Sequence, residues 1–81
     1  MTILDTNALY WYFYDPQPLG RAARNRIEGA PVLAFSAASV FELILKSQKI
    51  GKNGKPQIYL QEGFAMMAIA AGLIEIPVRS E

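Results

Sequence analysis

Two carboxylates stand out for where they fall. Asp5 closes the short apolar run Thr2-Ile3-Leu4, and Glu42 is the only charge in the apolar stretch Ala37 to Leu45. The chain holds no histidine and no cysteine, which excludes a Ser/His/Asp triad, a histidine general base, a thiolate site and any ordinary zinc centre. Carboxylates, hydroxyls, lysines and backbone groups remain. Two carboxylates with hydroxyl and amide neighbours suit a hard divalent cation. Mg²⁺ takes oxygen ligands, keeps several waters, and is often held by one or two acids plus substrate phosphate. Thr6, Asn7 and Ser36 are the polar groups that could support such a site. A second reading is equally local: Asp5, Thr6 or Asn7 caps the helix that follows, and Glu42 pairs with Lys46 at i,i+4.

The elements that must position these groups follow from periodicity and punctuation. Ile3 and Leu4 form an uninterrupted apolar run, which suits a strand buried on both sides, with Asp5 at its carboxyl end. Thr6 to Tyr14 reads as a helix. Its five consecutive aromatics, Tyr10 to Tyr14, cannot all share one face, so at least two are expected to point outward, where Tyr10, Trp11 and Tyr14 could meet a partner. Asp15-Pro16-Gln17-Pro18 ends that helix, because proline removes a donor and restricts its predecessor. Leu19 to Glu28 reads as an amphipathic helix stopped by Gly29. Leu19, Ala22, Ala23 and Ile27 form its apolar side, Arg24 and Glu28 an ion pair, and Arg21 and Arg24 possible phosphate contacts.

Pro31 to Phe35 is a second apolar strand, and Ser36 the N-cap of a helix from Ala37 to about Lys49. That helix is apolar almost all round and is expected to be buried. Gly51 to Pro56 is a loop, Gln57 to Ala71 a third long helix, Gly72 its C-terminal stop, and Leu73 to Val78 a third strand. Strands alternating with helices predict a parallel α/β sheet covered on both faces. Parallel strands joined by right-handed crossovers bring Asp5 and the start of the Glu42 helix to one rim.

With 81 residues, 52% hydrophobic and 19% charged, the chain makes a single domain. No basic stretch precedes the first apolar run and no run reaches the roughly 18 residues of a membrane span, so a cytoplasmic, membrane-free protein is expected. A net charge of +1 says little, but Lys46, Lys49, Lys52 and Lys55 recur without an intervening acid, a ridge that could hold an RNA backbone.

Ile3-Leu4-Asp5-Thr6-Asn7-Ala8-Leu9, the stretch Leu19 to Ala30, and Phe35-Ser36-Ala37-Ala38-Ser39-Val40-Phe41-Glu42-Leu43 with Lys46 and Gly51 resemble, in order along the whole chain, the PIN domain of VapC-like toxins. These are the ribonuclease halves of type II toxin-antitoxin pairs. The resemblance implies a three-layer α/β/α fold with strand order 3-2-1 for the part present, and a Mg²⁺- or Mn²⁺-dependent endoribonuclease. Asp5 and Glu42 would be its catalytic, metal-binding acids, with Thr6 in support through its hydroxyl. RNA is the implied substrate, and a cognate antitoxin or a second copy the implied partner. Family members are generally longer and add further aspartates on another βα unit. Residues 1–81 are therefore expected to be a truncated PIN-like domain without the C-terminal βα units, its acidic cluster incomplete, or else a catalytically deficient fragment that binds an antitoxin or another protein.

Overall fold

In a computed structural model of the chain, which describes residues 1–78, three parallel strands form one sheet and four helices pack on it. The order is β1 (Thr2–Leu4), α1 (Thr6–Tyr14), a 3₁₀ turn at Gln17–Leu19, α2 (Gly20–Gly29), β2 (Leu33–Ser36), α3 (Ala37–Gln48), α4 (Phe64–Ala70) and β3 (Ile74–Ile76). Arg79, Ser80 and Glu81, on which part of the expected truncation rests, lie outside the described residues. No helix is long and apolar enough to cross a membrane among the described residues.

β2 is central, paired with β1 on one side and β3 on the other, with Ile3 level with Ala34 and Ala34 level with Ile74. Strands added in one direction by right-handed crossovers place both connections on the same face. The packing agrees. The buried apolar side chains of the helices (Leu9, Ile27, Val40, Leu43, Phe64 and Ala68) join Leu4, Phe35 and Leu73 in one cluster. Residues level across parallel strands point to the same side, so Ile3, Ala34 and Ile74 share the other face. There Ile3 is 56% and Ile74 50% exposed. β1 thus leaves Ile3 half exposed, and three parallel strands in one sheet with four helices packed on it agree with the expected α/β fold.

Local chemistry sets the element ends. Asp5 Oδ1 accepts from the Ala8 amide at 2.8 Å and Ser36 Oγ from the Ala38 amide at 3.1 Å, so α1 and α3 start where capping side chains stand. Gly72, at φ +101°, closes α4. Its N–H bonds Ile69 O at 2.9 Å and the Leu73 N–H bonds Ala68 O at 3.1 Å, the paired bonds of a Schellman ending. Gly29 does not act this way: it is the last residue of α2 and carries no positive φ.

Two expectations about the helices fail for tertiary reasons. α4 starts at Phe64, not Gln57. The Gln57 N–H turns back to Lys49 O at 3.3 Å, and the Gln61 N–H is taken by the Tyr14 hydroxyl at 3.1 Å. From there Ile58 and Leu60 face the core while Tyr59 and Gln61 face out, the period of extended chain. Gly63 at φ +73° then turns the backbone into α4. α3, expected to be buried, hides only Ser39, Val40 and Leu43, and leaves Phe41 at 62% and Leu45 at 51% exposure. Only the stripe bearing Ser39, Val40 and Leu43 meets the core, so the apolar residues on the other sides of α3 stay at the surface.

Candidate active site

β1 and β2 run parallel, so the residues after them open onto one rim: Asp5 and Thr6 at the head of α1, Ser36 at the head of α3. Glu42 sits one and a half turns into α3. The Thr6 hydroxyl donates to Glu42 Oε2 at 2.7 Å, tying the two elements together across 36 residues of sequence. Thr6 Oγ1 also lies 3.1 Å from Ser39 Oγ. A hydroxyl has one proton and an ionised carboxylate only accepts, so Thr6 gives its proton to Glu42 and accepts the proton of Ser39. Ser39 is 91% buried by its 9% exposure and was not among the residues expected at the site. Its signal was available in the spacing, since Ser39 and Glu42, at i and i+3, share one side of α3.

The two acids are differently occupied. One oxygen of Asp5 caps α1, and Asp5 is exposed, so its second oxygen can serve a ligand without breaking the cap. Glu42 Oε1 lies 3.9 Å from Lys46 Nζ, an i,i+4 pair with the Glu42 side chain 54% exposed. Exposed pairs of this kind contribute at most about 1 kcal/mol, so Lys46 is a displaceable neighbour for a cation rather than a lock. Asn7 is exposed on the first turn of α1, and the Ser36 hydroxyl accepts the Ala38 amide as the cap of α3.

The donor set is oxygen only, which fits a hydrated Mg²⁺ or Mn²⁺ by chemical type. Asp5 and Glu42 would hold it, with Thr6 fixing Glu42. No group of three or more acids, histidines or cysteines placed to hold a metal exists among the described residues, so ligands beyond these two would be water, hydroxyl or substrate phosphate.

The basic residues divide into separate places. Lys46 and Lys49 line a groove of about 520 Å³ together with Glu42, Leu45, Gln48 and Gln57. Lys52 is exposed in the loop beyond it. Arg21 and Arg24 flank another groove on α2, with Asn25 and Glu28. The Arg24 to Glu28 ion pair is not formed, since Lys46 to Glu42 is the only one among the described residues. Arg26 is the arginine that shares a groove with Asp5, between α2 and β1.

The aromatic run is not the outward surface its sequence suggests. All five residues are partly covered. Tyr10 packs on Tyr14 with centroids 4.9 Å apart, and Tyr14 stacks on Phe64 at 6.0 Å and meets Tyr59 edge-on at 6.0 Å. Tyr14 is therefore committed to holding the 57–63 segment. Trp11 lies outside the packing around the core cluster.

Compared with known proteins, residues 2–76 match the model of one family, described as the PIN domain. No curated protein and no solved structure gives a significant match.

Proposed function

This chain belongs to the PIN domain family, a family of nuclease type, and from that premise we propose that it is a divalent-metal-dependent endoribonuclease of the VapC-like toxin kind. The observation that carries the reading is the Thr6 to Glu42 bond, which joins the helix headed by Asp5 to the helix that bears the second acid. Mg²⁺ or Mn²⁺, when bound between Asp5 and Glu42, would supply a Lewis acid for a phosphodiester and lower the pKa of a water. The protein's own part is positional. Asp5 is held by its cap, Glu42 by Thr6, and Lys46 and Lys49 offer positive charge along the adjoining groove, where an RNA backbone would be held without reading its sequence.

Two acids make a weak metal site, so slow cleavage of single-stranded RNA is expected from these residues alone. The test is EDTA-sensitive cleavage of a labelled single-stranded RNA by the chain and by Asp5→Asn and Glu42→Gln. Slow, chelator-sensitive cleavage lost in both variants supports the reading, and cleavage unaffected by either variant overturns it. A second reading, a PIN-like module that binds an antitoxin or another protein, is favoured by the exposed Phe41 and Leu45 of α3 and by the open sheet face bearing Ile3 and Ile74.

A further inference from the structure

We propose that Ser39 is a positioning residue of the metal site, acting on Glu42 through Thr6; this rests on the reading of Glu42 as a metal-binding acid. Thr6 is the first residue of α1, and a helical threonine divides its side chain between two rotamers. Only a rotamer that turns Oγ1 toward α3 can donate to Glu42. Ser39 selects it. Its buried hydroxyl lies 3.1 Å from Thr6 Oγ1 and needs a partner, and donating to Thr6 leaves the single Thr6 proton directed at Glu42 Oε2, 2.7 Å away. The result is a one-way chain of hydrogen bonds, Ser39 to Thr6 to Glu42, that begins in the interior and ends on the acid. No polar side-chain atom buried among the described residues lacks a partner, so this chain also accounts for why a serine is tolerated there. Groups that hold a ligand in this way commonly change metal affinity about tenfold or more when removed.

The experiment uses the metal-free chain and Mn²⁺ alone as the probe. Three-bond couplings of Thr6 report its χ1 rotamer, and Mn²⁺ electron resonance reports binding, for wild type, Ser39→Ala, Thr6→Val and the double variant. Alanine favours helix and replaces one oxygen, and Ser39→Cys, which keeps a weak donor, provides a second variant of intermediate effect. Expected are one Thr6 rotamer in wild type, averaged couplings in Ser39→Ala, and a roughly tenfold rise in the Mn²⁺ dissociation constant that does not recur in the Thr6→Val background. Unchanged Thr6 couplings in Ser39→Ala, or a loss of Mn²⁺ binding that adds in full to that of Thr6→Val, would overturn the proposal. Equal Mn²⁺ binding by wild type and Glu42→Gln would instead remove the metal reading, and the metal-free couplings would then decide on Ser39 by themselves.

Discussion

Glu42 takes the hydroxyl proton of Thr6 at 2.7 Å, so the acid on α3 is held by the neighbour of the acid that caps α1. That contact links two helices whose placement is set by their shared core, Leu9 on α1 with Val40 and Leu43 on α3.

Removing that contact should separate binding from stability. Thr6→Val keeps the shape and loses the donor. Mn²⁺ affinity is expected to fall about tenfold or more. The bond is exposed, so unfolding free energy should fall by at most about 1 kcal/mol, a melting shift of no more than roughly 4–8 °C for a chain of this size. Calorimetry and Mn²⁺ titration of the same preparations check both.

Gly72 and Gly29 should respond oppositely to alanine. At Gly72 a Cβ meets nothing within 4 Å, so the cost comes from φ +101° alone and is expected at about 1–2 kcal/mol. At Gly29 a Cβ also meets open space but φ is not positive, so Gly29→Ala should stabilise by about 0.4–1 kcal/mol. Urea unfolding of the two variants is the check, and equal signs would contradict the assigned backbone states.

Tyr14→Phe keeps the stack on Phe64 and loses the bond from the Gln61 N–H. The expected loss is about 1 kcal/mol, confined to the 57–63 segment. Faster chymotryptic cleavage at Tyr59 or Leu60, with the rest of the chain as resistant as before, is the predicted outcome; an unchanged cleavage rate would show that the hydroxyl does not hold this segment.

The half-exposed Ile3 and Ile74 and the edge position of β1 among the described residues should drive self-association. Unpaired strand edges and contiguous exposed apolar groups attract other chains. Sedimentation at micromolar concentration is expected to show species heavier than the 9.0 kDa chain. Ile3→Lys combined with Ile74→Lys should restore the monomer at a stability cost within about 1 kcal/mol, because both side chains are already half exposed. A wild-type chain that sediments purely as a monomer would refute this.

What the sequence determined by itself was whatever a few neighbouring residues decide. Asp5 and Ser36 start helices because a short side-chain acceptor reaches amides two or three residues on, and Gly72 ends one because glycine tolerates a positive φ. The two acids with their adjoining helices were legible for the same reason, and the alternation of strands with helices pointed to a parallel sheet without setting its register. Everything that depends on which surface an element lands on was decided by the tertiary structure. The apolar residues of α3 outnumber what one stripe can bury, so Phe41 and Leu45 face out although nothing in their types says so. Gln57 to Glu62 carries no helix breaker, yet the Tyr14 hydroxyl and the return to Lys49 take up amides that a helix would need, and the segment stays irregular. Ser39, Thr6 and Glu42 meet because β1 and β2 lie side by side in register, a long-range pairing that no local pattern encodes.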